Sequence, residues 1–344
     1  MKFYTSVLPY RGRLLVRGVD KDGTQKKYRI NYKPSLFVPV GKETKYKTLD
    51  GRYVERIKFD SMPEATKWVN EYKNVTNFEY FGNTRHQYPF IADEFKGKID
   101  WDMNKIKLLT IDIECESENG FPSPEKADQP LICITVKDHT TKKIIVFGMG
   151  NFVNDREDVQ YINCVTETGL VETFTKFWVE YNPDIITGWN VKFFDIPYLM
   201  NRFRYLMGDE WLNQFSPWGI VEQKSASVLF ASREQQVWNI MGVDTLDYLD
   251  LYRKFTFVRR ESYKLDYIGE VELGQNKLDN PYDTFKEFYS NDYQRFVEYN
   301  IQDVELVDKL EDKLQLIALF LTMAYEAKVN YQDVFGQVRI WDCI

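Results

Sequence analysis

Histidine is nearly missing. Two residues, His86 and His139, occur among 344, which leaves little room for imidazole-centred catalysis. The four cysteines (Cys115, Cys133, Cys164, Cys343) show neither C-x-x-C spacing nor scaffold density. That argues against a zinc site and a disulfide framework, and fits a reducing cytoplasm. The longest apolar run, Leu314 to Ala327, is interrupted by Gln315, Thr322 and Glu326. It is shorter than the ~18 residues of a membrane span and reads as a core helix. The opening MKFYTSVLPYRGR lacks the apolar stretch of a signal peptide. Positive charge is in deficit as well: Lys and Arg number 45 against 52 Asp and Glu, a net charge of −7. The overall balance is therefore not that of a basic nucleic-acid-binding face, although Lys254, Arg259 and Arg260 in YRKFTFVRR and the group from Lys42 to Lys58 form local clusters. What is present is 44% hydrophobic residues, enough for a sizeable core in two domains or one domain with a large companion. With little histidine or cysteine chemistry available, catalysis has to rest on carboxylates.

Carboxylates stand out first in LLTIDIE, Leu108 to Glu114. Strand alternation puts Leu108, Thr110, Asp112 and Glu114 on one face and Leu109, Ile111 and Ile113 on the other. Two acids sharing one face of an apolar strand resist burial unless a cation lies between them or one holds a proton.

Around that strand the pattern predicts a small α+β region over residues 1 to about 100. It begins as an antiparallel meander to about Val40 with turns at Arg11-Gly12 and Asp22-Gly23. A helix capped by Ser61 and Glu64, with Pro63 near its first position, follows. The tyrosines and Phe37 of this region could stack on bases or simply fill a sheet. Further on, strands are predicted over Leu131 to Lys137, Lys143 to Gly148 and Asp184 to Trp189, with a helix from Leu170 to Tyr181 between the last two. A long hairpin is expected from Val221 to Gly242 around Ala231-Ser232-Arg233-Glu234, and a helix from Thr245 to Phe255. Strands followed by helix, strand and helix imply a mixed sheet covered on both faces.

Two more acids are out of the ordinary. Asp195 precedes Ile196-Pro197 at the start of an amphipathic helix, where N-capping alone would account for it. On the helix predicted from Asp292 to Leu314, Asp303 falls in the apolar arc of Phe296, Val297, Val304, Val307, Leu310 and Leu314. A buried acid there should be paired or bound to metal; no Arg or Lys stands beside it on that face, which favours metal. Tyr299, four residues earlier, shares the face.

Taken together, DIE at 112 to 114, NxxxFD at 190 to 195 and YNIQD at 299 to 303 resemble the three exonuclease motifs of the family B DNA polymerases. GWNVKFFDIPYLMNR, LDYLDLYRKF and MAYEAKVNYQDVFGQVRIWD look particularly like the T-even-like bacteriophage branch. The resemblance implies an α/β chain: a ribonuclease-H-like exonuclease domain over 104 to 316 and an α+β N-terminal domain over 1 to 103. Residues 317 to 344 would return to the N-terminal domain and lead towards a palm. It also implies a DEDDy 3'→5' proofreading exonuclease. In that class Asp112, Glu114, Asp195 and Asp303 hold two divalent ions, Mg2+ or Mn2+, and Tyr299 orients the attacking water or the scissile phosphate. Phe121 and Asn190 match positions near the path of the single strand, and the 221 to 242 hairpin matches a loop that keeps primer from template. The implied partners are single-stranded or primer-template DNA and, through the assembly, a sliding clamp. The setting is the cytoplasm, that of the host if a phage encodes the chain. Palm motifs of the DxxSLYPSI, KxxxNSxYG and DTDS types do not occur in the 344 residues. Polymerisation by this chain alone is therefore not expected, and it reads as a truncation or as one half of a split polymerase with a palm-bearing partner chain. The alternatives are a DNA-binding assembly subunit for such a chain and a stand-alone trimming exonuclease.

Overall fold

The computed structural model describes residues 1–117, 120–227 and 234–336. Contacts divide the chain into two units: Met1–Asp102 with the chain from Leu321 onward, and Met103–Phe320.

In the first unit, strands β1 (Phe3–Tyr10), β2 (Arg13–Val19) and β3 (Gln25–Ile30) form an antiparallel meander. Arg11 and Gly12 both have positive φ, as a two-residue hairpin turn demands. The meander ends there. β4 (Ser35–Pro39) leaves it and pairs with β6 (Tyr53–Lys58), which also pairs with the two-residue β5 (Tyr46–Lys47), so the aromatic-rich start of the chain makes two sheets instead of one. Helix α1 (Met62–Tyr72) begins at the Ser61 cap, whose hydroxyl accepts from the Glu64 N–H; the Glu64 carboxylate accepts from Asp60 N–H, one residue earlier than a closed capping box requires. Its Trp68 packs on Phe59, Phe78 and Tyr80. Of the aromatics in this region, Phe3 and Tyr4 are fully buried, whereas Tyr28 is exposed. Helix α2 (Gln87–Glu94) completes this stretch.

The second unit is built on six strands. They are β7 (Leu108–Cys115), β8 (Leu131–Asp138), β9 (Ile144–Gly148), β10 (Val159–Asn163), β11 (Ile185–Gly188) and β14 (Asp244–Asp247), and their order across the sheet is β10-β9-β8-β7-β11-β14. β7, β8 and β9 run antiparallel to their neighbours in this trio; the outer pairings are parallel, so the sheet is mixed. One face packs on α3 (Glu167–Tyr181) and α4 (Asp195–Met207) through Leu109, Ile111, Ile113, Phe174, Trp178, Leu199 and Phe203. The other packs on two helices near the end of the unit through Cys133, Val146, Phe288, Phe296 and Ile301. This period-two division of β7 leaves Asp112 and Glu114 on the second face.

Between the last two strands of the sheet, a four-residue helix α5 (Asp209–Leu212) leads to a hairpin of β12 (Val221–Ser227) and β13 (Glu234–Ile240), paired from Val221↔Ile240 to Ser227↔Glu234. The expected tip, Ala231-Ser232-Arg233, lies outside the described residues. The helix expected from Thr245 begins only at Tyr248: Asp244–Asp247 pairs in parallel with Ile185–Gly188, and Asp247 then caps α6 (Tyr248–Phe255) through the Leu249 N–H. Backbone pairing at the sheet edge wins over helical periodicity. Helices α7 (Leu265–Leu273), α8 (Phe285–Asn291) and α9 (Tyr293–Leu314) follow; Gln315, in the left-handed region, separates α9 from α10 (Leu316–Ala327). Within the first unit, the last described turns fasten to β1: Asn330 accepts from Val7 N–H and donates to Val7 C=O, both at 2.8 Å, and Tyr325 donates to Tyr4 C=O.

Candidate active site

Gly188 closes β11 against β7 so tightly that a Cβ would lie 2.5 Å from the Ile111 carbonyl oxygen, a distance no side chain tolerates. The chain then turns through Asn190, one of the residue types that tolerates the left-handed conformation it holds here (φ 66°). Asp247 secures that turn by accepting from the N–H groups of Asn190 and Lys192 at 3.1 and 3.0 Å. Burial, with Asp250 nearby, pushes the Asp247 carboxyl up to about 7. The turn delivers Asp195 to the first residue of α4.

Asp195 does not cap that helix. The N-cap is Phe194, which makes no capping bond; the Asp195 carboxylate instead accepts from the Ile113 N–H of β7 at 3.2 Å. The acid that could have been a cap is spent on joining helix to strand, and it is 3% exposed.

Across the cleft, α9 brings Asp303, also 3% exposed. Asp112, Glu114 and Asp303 each offer an oxygen, and the three lie within 4.8 Å of one another. It is the one such trio of His, Cys, Asp or Glu among the described residues. Asn300, fully buried one turn earlier on α9, donates to Asp112 Oδ2 at 2.5 Å and accepts from the Cys133 thiol at 3.4 Å. Asp303 Oδ1 is buried without a hydrogen-bond partner.

The sequence offered no Lys or Arg beside Asp303 on its helix face, yet a lysine reaches it from a loop. Lys277, 26 residues earlier in a loop after α7, donates to Asp303 Oδ2 and to the Tyr299 hydroxyl at 3.4 Å, with its ammonium 5.0 Å from the Tyr299 ring centre. Its own N–H is held by Asp266 at 2.8 Å. Helical periodicity compares residues on one helix, so it could not find a partner from a loop; the only trace in the sequence is an isolated lysine in GQNKLDN. Burial depresses the Lys277 ammonium, but Asp303, Tyr299 and Asp112 outweigh it and hold it above the usual lysine range. Its charge is permanent near neutrality.

The acids remain over-supplied with negative charge. Burial, then Asp303, raises Glu114 to about 8 and lifts Asp112 well above the carboxylate range; burial likewise raises Asp195 to about 7 and shifts Asp303 upward. Burial also raises the Tyr299 hydroxyl to about 12, so it stays a neutral donor. A concentration of acids that is costly to ionise, with a buried oxygen lacking any donor, fits a hard divalent cation held by oxygens.

All seven residues singled out in the sequence line one cleft of about 550 Å3: Asp112, Glu114, Phe121, Asn190, Asp195, Tyr299 and Asp303. Trp189, Phe194, Phe285 and Lys277 are among the other residues of the wall. Phe121 is 86% exposed and packs on Phe194 at 5.3 Å, giving a rim of two rings beside the acids. This is a chemistry of carboxylates and a neutral phenol beside an aromatic platform, suited to holding a phosphodiester with its terminal bases stacked.

Comparison with known proteins gives the same picture. The family described as "DNA polymerase family B, exonuclease domain" matches residues 64–268. The chain is 32% identical to the DNA-directed DNA polymerase of Escherichia phage RB69 over 372 aligned positions, and 29% identical to that of Enterobacteria phage T4 over 369. In both cases all of the chain aligns with 40% of the relative. It is also 30% identical to the DNA polymerase delta catalytic subunit of Caenorhabditis elegans over 237 positions, 64% of the chain and 21% of that protein. The chain thus spans about two fifths of the phage relatives it matches.

Proposed function

As the chain belongs to the exonuclease-domain family of DNA polymerase family B, we propose that it is a 3'→5' proofreading exonuclease that removes nucleotides from single-stranded or frayed DNA ends. One observation carries the reading: the separated segments at 112–114, 190–195 and 299–303 converge on a single cleft in which three carboxylates can meet within 4.8 Å.

Asp112, Glu114 and Asp303 would hold one divalent ion, and Asp195, whose Oδ1 is committed to Ile113 N–H, would support a second through its other oxygen. Oxygen donors suit Mg2+ or Mn2+. Bound there, a pair of such ions would supply Lewis acidity, lowering the pKa of a water and neutralising a leaving 3' oxygen. The protein does the rest. Asn300 fixes the direction of the Asp112 carboxylate. Lys277 orients the Tyr299 hydroxyl, which stays protonated and able to donate to a phosphate oxygen or an attacking water. Phe121 and Phe194 stack the terminal bases, and Asn190 offers polar contact to the strand. Palm motifs do not occur in these 344 residues, so polymerisation, and a sliding clamp through it, would require sequence other than this, on the same polypeptide or on a partner chain.

Digestion of a 5'-labelled single-stranded oligonucleotide tests the reading. With magnesium the protein should produce a ladder shortening from the 3' end; chelator should abolish it, and Asp112→Ala should reduce it at least ~10³-fold with an unchanged circular-dichroism spectrum. Cleavage by folded Asp112→Ala at the wild-type rate would overturn it. Binding of the oligonucleotide by folded wild type without any ladder would instead favour a DNA-binding assembly subunit.

A further inference from the structure

Helix α4 carries more than Asp195. Residues 194, 198, 201 and 202 lie within one arc of about 100°, and each of them touches the segment that presents Phe121. Phe194 packs on Phe121 itself; the Tyr198 hydroxyl donates to Gln129 C=O at 2.6 Å; Asn201 Nδ2 donates to Pro124 C=O at 2.7 Å; and Arg202 donates to Ala127 C=O at 3.2 Å while pairing with Glu167. Among its described residues the segment forms no helix or strand; it carries a turn of its own, closed by Ala127 N–H to Ser123 C=O at 2.8 Å, and these four contacts fasten it to the helix face.

Asn201 differs from the other three. It is 8% exposed, and its amide oxygen faces away from the segment, accepting from Trp238 Nε1 of β13 at 3.3 Å, Gln223 Nε2 of β12 at 3.4 Å and Arg204 Nη2 at 3.0 Å. Arg204 in turn lies 5.2 Å over the Trp238 ring. A single amide thus bonds the hairpin with its oxygen and the Phe121 segment with its nitrogen. No other side chain on that arc bonds both, among the described residues.

We propose that Asn201 is a positioning residue that ties the β12–β13 hairpin to the Phe121 segment, so that the placing of the hairpin sets how tightly the cleft holds a single strand. The inference rests on the reading of this cleft as a single-strand site. A buried amide bonded on both ends transmits a shift of either neighbour, because leaving one end unpaired costs the desolvation of a polar group. Asn201 does not line the cleft and touches none of the carboxylates, so its influence falls on holding the strand and not on the chemical step.

The two ends can be cut separately. Asn201→Asp keeps the acceptor for the hairpin and removes the donor to Pro124; Trp238→Phe with Gln223→Ala removes the hairpin donors and leaves the Pro124 bond. Steady-state cleavage of a single-stranded oligonucleotide is measured for each and for the combination. Affinity is measured in parallel by fluorescence anisotropy in an Asp112→Ala background, and amide hydrogen exchange over 120–130 in the free protein. Asn201→Asp should raise KM and the dissociation constant at least about fivefold with kcat unchanged, since it removes the donor to Pro124 and sets a carboxylate oxygen against the Pro124 carbonyl. The hairpin variant should move the same quantities in the same direction and speed exchange over 120–130, which it does not touch. The combination should be no worse than Asn201→Asp. A fall in kcat at constant KM, multiplicative effects, or unaltered 120–130 exchange in the hairpin variant would overturn the coupling. Should wild type neither bind nor cleave the oligonucleotide, the single-strand reading fails; binding and cleavage that all variants share equally would sink the coupling alone.

Discussion

At the scale of single residues, each acid in the cleft is defined by what surrounds it. Asp112 and Glu114 are placed by strand alternation, but the direction of Asp112 is set by Asn300, and Asp303 Oδ2 is held by Lys277. Tyr299 sits where Lys277 fixes its hydroxyl, which leads to a separable prediction. Tyr299→Phe should slow cleavage by about tenfold to a hundredfold, as expected for loss of one oriented donor, while the Mn2+ affinity measured by calorimetry stays the same. A fall in that affinity would make the tyrosine part of the ion's support. Lys277→Met should slow cleavage at least as much, and the double variant should be no slower than Lys277→Met, since both changes disarm the same hydroxyl. Independent effects would mean that Lys277 acts on substrate directly.

At the scale of elements, the site depends on α9 lying flat against β7 and β8, and one ion cluster anchors its middle. Asp308, 4% exposed, meets Lys137 of β8 at 2.9 Å, Lys142 at 2.8 Å and His139 Nδ1 at 3.5 Å. Burial pushes the Asp308 carboxyl up, but these donors outweigh it and hold it well below the usual range. A carboxyl so depressed adds stability above its unfolded value of ~3.9 and loses that contribution as pH falls below it. Asp308→Asn should therefore cost about 3 kcal/mol at pH 7, where it leaves Lys137 buried and unpaired. In urea unfolding followed from pH 7 to pH 2.5, the gap between variant and wild type should narrow. A gap that widens in acid would show that Asp308 is protonated in the folded state. Because none of the cluster's residues lines the cleft, magnesium-dependent cleavage by the folded variant should be close to normal.

At the scale of the whole molecule, the proposed function would require an acidic chain to hold a polyanion. Some of its basic side chains are engaged elsewhere: Arg260 pairs with Glu272 at 2.6 Å, Arg253 lies over Tyr263, and Arg156 pairs with Asp158 and Glu305. Lys277 is the one basic side chain lining the cleft among the described residues. Binding should thus rest on stacking and bound cations more than on counterion release. The logarithm of affinity for a single-stranded oligonucleotide should fall against the logarithm of salt with a slope no steeper than about −2, measured in Asp112→Ala between 50 and 200 mM salt at ~0.7 per phosphate contact. A slope near −5 would reveal a basic track, with YRKFTFVRR the first place to look. No helix among the described residues is long and apolar enough to cross a membrane.

The sequence by itself determined the strand carrying Asp112 and Glu114, the helix carrying Tyr299 and Asp303, and the mixed sheet between them, because period-two and period-3.6 burial are local patterns that tertiary context only had to accept. The motifs and the resemblance they carry also marked seven of the residues that line the cleft, though not Lys277. What it left open were matters of long-range pairing. Whether Asp195 caps its own helix or bonds Ile113 depends on β7 passing within 3.2 Å. Residues 244 to 247 extend as an edge strand because β11 lies ready to pair with them. Asp303 gains Lys277, and Pro124 gains Asn201, from segments 26 and 77 residues away. Periodicity cannot read such partners, because side chains from distant segments meet only when the chain closes, and that closure was decided by the tertiary structure alone.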